Sequence, residues 1–118
     1  RPTVLDRVSL QSPLVCDEVF GPVLVLHCYD ELDEVYRSVR GFKYGLHASI
    51  FTQSLKHAFD AFHAIDAGTV LVNEIPTFRL DSMPYGGSKL SGLGREGVRY
   101  AMEAYTEYKN LVIVPSVT

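Results

Sequence analysis

Strand-like and helix-like patterns alternate through the middle of the sequence, and this alternation constrains the fold most. Short apolar runs over 23–29, 46–51 and 69–73 predict strands that are covered on both faces. Apolar residues with the helical period lie between these runs and predict helices over 30–40 and 54–65. Strands in this order join through right-handed crossovers into a parallel sheet with helices on its faces. The sequence therefore predicts an α/β fold with three layers.

Further elements are predicted on either side of this alternation. A short strand is expected over 3–8, and a third helix is expected from residue 93 or 95 to residue 105. The last apolar run, 109–115, predicts a strand that a proline ends. The residues of the third helix that are expected to be buried are Val98, Met102 and Tyr105.

A glycine-rich segment over 83–97 follows the third apolar run, with five glycines in fifteen positions. Such a backbone either turns where a side chain would clash or approaches another group closely. Gly92, Gly94 and Gly97 have the spacing of a dinucleotide-binding fingerprint, which requires a preceding strand and an acidic residue about 20 residues later. Both are missing, and Leu93 stands where a Walker loop needs lysine. We interpret the segment as a turn-rich joint that leads into the third helix.

Composition and charge argue against several classes of protein. The 118 residues are 47% hydrophobic and 21% charged, which is typical of at most one globular domain and not of a disordered chain. A net charge of −3 offers no basic surface for nucleic acid or an anionic membrane. No apolar run approaches the roughly 20 residues of a membrane helix. With two cysteines and no charged-then-apolar leader, a cytoplasmic protein is expected.

Two motifs resemble signatures of one enzyme family. The first is Glu-Val-Phe-Gly-Pro-Val over 18–23. The second combines Pro-Thr-Phe-Arg over 76–79 with Lys-Leu-Ser-Gly-Leu-Gly-Arg-Glu over 89–96. In this order and at this separation, they resemble the end of the catalytic domain of aldehyde dehydrogenases, and the resemblance covers nearly the whole chain.

This resemblance implies a domain organisation and partners. Residues 1–106 would be the C-terminal part of an aldehyde dehydrogenase catalytic domain, a fragment of its three-layer parallel sheet. Residues 107–118 would be an oligomerisation strand that pairs within or across subunits. The implied partners are the upstream remainder of the same enzyme, a small-molecule aldehyde, and further subunits of a homodimer or homotetramer.

The resemblance also assigns a cofactor site. The residue types of the turn at Glu18 alone would favour a solvated carboxylate, because most glutamates are exposed. In aldehyde dehydrogenases, the matching glutamate accepts hydrogen bonds from the nicotinamide ribose, and the matching phenylalanine packs near the nicotinamide. Glu18 and Phe20 are therefore the expected cofactor-binding residues for NAD or NADP.

A substrate pocket is expected in the loop after the third strand. Phe78 and Tyr85 fall where the family places aromatic residues of the aldehyde tunnel, and ordinary packing of both rings is the alternative. Arg79 lies beside them and could bind a carboxylate, phosphate or sulfonate of the aldehyde. An ion pair with Asp81 is an equally good interpretation of Arg79.

The implied reaction oxidises an aldehyde to a carboxylic acid through a thiohemiacetal and a thioester of a cysteine, with NAD(P) taking the hydride. Cys28 lies in an apolar run, where a thiol is usually inert. Cys16 precedes two acidic residues, whose negative charge disfavours a reactive thiolate. Neither has the family's glycine-glutamine-x-cysteine context. The nucleophile and the base are therefore expected upstream, with no catalytic residue here and no activity of this chain alone.

Two alternatives remain open at the level of the sequence. The chain could be a family fragment that lacks catalysis and serves in assembly, or a free-standing nucleotide-binding module built on the 92–97 glycines. The four histidines have no spacing that would place metal ligands on one helix face, and no metal site is predicted.

Overall fold

The computed structural model describes residues 1–115. Helices and strands alternate as the sequence predicts, and the architecture is α/β. In chain order, the elements are β1 (Thr3–Asp6), α1 (Pro13–Cys16), β2 (Val23–Leu26), α2 (Leu32–Gly41), β3 (Tyr44–Gly45), β4 (His47–Ile50), α3 (Leu55–Ala64), β5 (Thr69–Val72), β6 (Ser88–Lys89) and α4 (Val98–Ala104).

The strands of the described residues form three two-stranded sheets. β1 pairs with β2 in parallel, with Thr3 opposite Val23, and β4 pairs with β5 in parallel, with His47 opposite Thr69. β3 and β6 form a short antiparallel pair. Parallel pairing agrees with the prediction, but residues 1–115 do not form one continuous three-layer sheet. Alternating strands and helices determine strand direction and leave open which strands are neighbours.

The crossover from β4 through α3 to β5 positions the loops described below. Ser54 caps α3, because its Oγ accepts a hydrogen bond from the His57 backbone N–H at 3.3 Å. The polypeptide then turns at Gly68, whose backbone lies against that of Gly86. A β-carbon at Gly68 would lie 1.6 Å from the Gly86 carbonyl oxygen, so no larger residue fits.

The glycine-rich segment is a tight joint, as the sequence predicts. The Arg95 guanidinium donates hydrogen bonds to the carbonyls of Gly87 at 2.9 Å and Gly94 at 2.7 Å. Ser91 Oγ accepts a hydrogen bond from the Gly45 backbone N–H at 2.9 Å, which ties the segment to β3. The first two bonds stabilise the segment internally, and the third holds it against β3.

Most apolar faces of the chain are exposed and do not pack against other described residues. Only Ala61 and Leu71 are buried hydrophobic residues there, and the chain extends over 80 × 34 × 25 Å. The prediction that the third helix buries its apolar side chains is wrong for this chain. Helical periodicity shows which face of a helix is apolar, but it does not identify the element that packs against that face. The exposed fractions are 71% for Val98, 64% for Met102 and 91% for Tyr105.

The C-terminal strand predicted over 109–115 does not form in the described chain. Residues 107–115 have neither helix nor strand structure, and they are exposed. An isolated strand has no hydrogen-bond partner for its backbone, so it cannot persist by itself. The remaining residues of the predicted arm, 116–118, lie outside the described residues, and the oligomerisation role of the arm stays a prediction.

Candidate active site

Asn73 ties together the loops that leave β4 and β5. It has a left-handed backbone conformation with φ of 58°, which asparagine tolerates better than most residues. Its Oδ1 accepts a hydrogen bond from the Thr52 backbone N–H at 2.7 Å, and its Nδ2 donates to the Thr52 carbonyl at 2.9 Å. The start of the 74–85 loop is thereby fixed at the carboxyl ends of two parallel strands, where ligands of α/β sheets bind.

Side chains of β4 hold the next part of that loop. Ser49 Oγ donates a hydrogen bond to the Glu74 carbonyl, and His47 Nδ1 donates to the Pro76 carbonyl at 2.5 Å. A carbonyl only accepts hydrogen bonds, so Nδ1 of His47 carries a proton in this contact. His47 Nε2 is buried and has no hydrogen-bond partner within residues 1–115.

The structure brings the three predicted pocket residues, Phe78, Arg79 and Tyr85, into one cluster. The Tyr85 ring meets the His47 ring edge to face, with centroids 5.3 Å apart. The Arg79 guanidinium carbon lies 4.3 Å from the centre of the Tyr85 ring. Phe78 completes the cluster, and the space that these four side chains enclose with Thr69, Met83 and Pro84 leaves no room for a water molecule.

Arg79 forms its ion pair with Glu96 and not with Asp81. The distance between Arg79 Nη2 and Glu96 Oε2 is 3.7 Å, and the side chain of Arg79 is partly exposed while that of Glu96 is largely exposed. Tyr85 and Glu96 also exchange two backbone hydrogen bonds of 3.0 and 2.6 Å. The ion-pair interpretation of Arg79 was therefore right about the kind of contact and wrong about the partner.

Glu18 and Phe20 lie in the turn between α1 and β2. Neighbouring Asp17 pairs with Lys43, and this hydrogen bond raises the pKa of Lys43 above its usual value. Glu18 has no hydrogen bond or ion pair within residues 1–115, and its carboxylate is exposed. The Phe20 ring is 95% exposed.

A cleft of about 650 Å³ lies beside the α1–β2 turn, and its lining includes Glu18 but not Phe20 or the residues of the 74–85 loop. Glu18 lines this cleft together with His47, whose ring contacts Tyr85 of the aromatic cluster. His47 therefore lines the same cleft as Glu18 and contacts one residue of the aromatic cluster. Sequence reasoning missed it, because the lone histidine of a strand carries no metal or triad spacing.

Lys89 also has a role that the sequence did not indicate. Its Nζ donates hydrogen bonds to the carbonyls of Arg40 and Phe42, both at 2.9 Å. These carbonyls lie at the C-terminal end of α2, where a cation interacts favourably with the helix dipole. The favourable pairing of lysine with a helix C-terminus is general, but α2 lies almost fifty positions away in the sequence, so no local signal identified the partner.

The two cysteines have different surroundings in the described chain. Cys16 Sγ donates to the Leu10 carbonyl at 3.1 Å, and Cys28 is exposed beyond the end of β2. Placing Cys28 inside a strand was wrong, because β2 ends at Leu26. Within residues 1–115, no cluster of three or more histidine, cysteine, aspartate or glutamate side chains could hold a metal ion. None of the helices described is both long and apolar enough to cross a bilayer.

Comparison with known proteins decides the family. The model of the aldehyde dehydrogenase family matches residues 1–111. The chain belongs to the aldehyde dehydrogenase family. This confirms the resemblance of the two motifs at the level of the family.

Curated aldehyde dehydrogenases are similar to this chain over most of its length. The 3-sulfolactaldehyde dehydrogenase of Priestia megaterium is 43% identical over 112 residues, which are 95% of this chain and 24% of that enzyme. Aspartate-semialdehyde dehydrogenase 1 of Pseudomonas canavaninivorans is 45% identical over 107 residues, or 91% of this chain and 23% of that enzyme. The chain therefore spans about a quarter of the length of these relatives.

Solved aldehyde dehydrogenase structures share the fold. Aldehyde dehydrogenase 21 of Physcomitrella patens, in complex with its reaction product succinate, matches 86% of this chain and 21% of its own at 43% identity and a TM-score of 0.82. A Mycobacterium tuberculosis aldehyde dehydrogenase complexed with NAD+ matches 99% of this chain and 24% of its own at 29% identity and a TM-score of 0.88. These dehydrogenase relatives do not favour the assembly-only alternative.

Proposed function

We propose that this chain is the C-terminal part of the catalytic domain of an NAD(P)-dependent aldehyde dehydrogenase. The complete enzyme oxidises an aldehyde to a carboxylic acid. The observation that carries this proposal is the loop fixed at the ends of β4 and β5. This loop presents Phe78, Arg79 and Tyr85 as one cluster, and His47, which contacts the Tyr85 ring, also lines the cleft beside Glu18.

The aromatic cluster is the wall of the aldehyde pocket in this proposal. Phe78 and Tyr85 supply an apolar surface, and Arg79 is the polar group beside it. The aldehydes named for relatives include 3-sulfolactaldehyde, aspartate semialdehyde and lactaldehyde. These compounds differ in charge, so their names do not identify the substrate of this enzyme.

The residues at the α1–β2 turn suit a nicotinamide nucleotide. A carboxylate without a partner among the described residues, such as Glu18, can accept hydrogen bonds from two ribose hydroxyls. The exposed ring of Phe20 offers a flat apolar surface to the nicotinamide. Bound NAD or NADP supplies the acceptor for the hydride that leaves the aldehyde carbon. Glu18 and Phe20 bind and orient this nucleotide in the proposal.

The remaining chemical groups come from outside this chain. We assign the cysteine that forms the thiohemiacetal, and the general base, to the upstream part of the enzyme. That part also covers the exposed apolar faces of α3 and α4. Residues 1–106 belong to the catalytic domain, and residues 107–118 form an arm that pairs within a homodimer or homotetramer. We also propose a cytoplasmic location for the enzyme, because this chain has only two cysteines.

The test uses the complete gene product that contains this chain. We expect NAD(P)-dependent oxidation of short aldehydes, followed by the absorbance of the reduced nucleotide. Glu18→Gln should raise the KM for the nucleotide by about tenfold, because a neutral amide is a weaker acceptor than a carboxylate.

Glu34→Gln is the matched control, since Glu34 lies exposed on α2 away from the cleft. It should leave nucleotide use unchanged. Absence of any oxidation with either nucleotide would contradict the proposed function. Normal nucleotide use by Glu18→Gln would contradict the assignment of Glu18.

A further inference from the structure

Arg79 is held in place while its hydrogen-bond donors stay unused. Its guanidinium carbon lies 4.3 Å from the centre of the Tyr85 ring, which is the geometry of a cation–π contact. Its ion pair with Glu96, at 3.7 Å, is longer than a hydrogen bond, and the side chain is 42% exposed. Within residues 1–115, the guanidinium makes no hydrogen bond, although it has five N–H donors.

The platform under Arg79 is itself rigid. Tyr85 is joined to Glu96 by two backbone hydrogen bonds, and its ring packs edge to face against His47. His47 belongs to β4 and donates a hydrogen bond to the Pro76 carbonyl. The arginine therefore lies on a base that is anchored both to a strand and to the loop that carries Phe78. The cation–π contact with this ring restricts the orientations of the guanidinium before any ligand arrives.

The one acidic partner that the Arg79 guanidinium has in the described chain is held weakly, so a ligand anion can replace it. Glu96 is the acidic residue that pairs with Arg79, and Asp81 makes no ion pair with it in the described chain. Exposed pairs at such distances are weak. A ligand carboxylate or sulfonate that offers two oxygens can form parallel, charge-assisted hydrogen bonds with the same fork, and these are stronger.

We infer that Arg79 recognises an anionic group, a carboxylate or a sulfonate, at the end of the substrate opposite the aldehyde. The enzyme thus prefers short aldehydes with an acidic end over neutral aldehydes of the same length. This inference rests on the proposed function.

The experiment compares matched aldehydes on the complete gene product. The first pair is succinic semialdehyde and its neutral primary amide, and the second is sulfoacetaldehyde and propanal. We expect kcat/KM for the acidic member to exceed that for the neutral member, and the two pairs distinguish carboxylate from sulfonate. The preferred pair is the one with the larger ratio of kcat/KM for the acidic aldehyde to kcat/KM for the neutral aldehyde. In Arg79→Met, this ratio should fall about 10- to 100-fold, because KM for the acidic aldehyde rises.

Arg99→Met is the matched control, because Arg99 is an exposed arginine of α4 that pairs with Glu103 outside the cluster. It should keep the wild-type ratio. Arg79→Lys, which keeps the charge without the planar fork, should retain part of the preference. Equal kcat/KM for the two members of both pairs, or an unchanged ratio in Arg79→Met, would overturn the inference about Arg79. Neither result would contradict the proposed function. If no aldehyde is oxidised with either nucleotide, the proposed function is overturned and the inference fails with it.

Discussion

Asn73 shows how one side chain can set the geometry of a loop. Its amide uses both a donor and an acceptor on the backbone of Thr52, and its own backbone adopts φ of 58°. Alanine would lose two hydrogen bonds and would be strained in this left-handed conformation. The 74–85 loop begins at this residue, so its position depends on the same contacts.

We therefore expect Asn73→Ala to lower the free energy of unfolding of the complete enzyme by about 2–3 kcal/mol. Urea unfolding measures this loss. Gln53→Ala, an exposed neighbour of Thr52 without a hydrogen bond of its side chain in the described residues, is the control and should change stability by less than about 0.5 kcal/mol. Similar losses in the two variants would show that the bridge between the loops is unimportant.

At the scale of elements, α2 depends on a cap that comes from a distant part of the chain. Lys89 is the residue that reaches the last carbonyls of α2, and it also lies 3.9 Å from a carboxylate oxygen of Asp66. Its side chain is only 25% exposed, so solvent screens these contacts less than contacts on the open surface. The cap thereby couples the glycine-rich joint to the helix.

Lys89→Met should destabilise the enzyme by about 1–3 kcal/mol, because two helix carbonyls lose a charged donor. Amide hydrogen exchange should show the loss first in the last turn of α2. The control is Lys56→Met, which removes an exposed ion pair with Asp60 within α3 and should cost no more than about 0.5 kcal/mol. Unaltered exchange in α2 would contradict the capping role.

At the scale of the whole molecule, the apolar faces determine how the chain behaves. The outward face of α3 carries Leu55, Phe59 and Phe62, which are 78%, 62% and 62% exposed. An apolar surface of this kind marks a contact with another protein surface. We assign that contact to the rest of the enzyme.

The isolated chain of 118 residues should therefore bind a hydrophobic dye, associate with itself and show no dehydrogenase activity. Dye fluorescence and size-exclusion chromatography check the first two properties. Co-expression with the rest of the enzyme should remove the dye signal.

Phe59→Glu should reduce self-association of the isolated chain. It should also lower the amount of this chain that co-purifies with the rest of the enzyme after co-expression. His57→Glu places the same charge at another exposed position of α3 and serves as the control. A soluble, dye-negative isolated chain would contradict the assignment of the apolar faces.

Much of the local structure could be predicted from the sequence. The apolar runs and helical periods located β2, β4 and β5 and the helices α2 and α3 to within a few residues. Two motifs indicated the family and singled out Phe78, Arg79 and Tyr85, which the structure brings together. These predictions succeeded because periodicity and motif spacing are properties of neighbouring residues.

Contacts between distant residues depended on the tertiary structure. It decided that Arg79 pairs with Glu96, that Lys89 caps α2, and that His47 supports Tyr85. Each of these contacts joins groups whose separation in space is set by how strands pair and loops close, and no local pattern records that. The apolar stripe of α4 illustrates the same limit, since the sequence determined which side chains require cover and only packing decides what covers them.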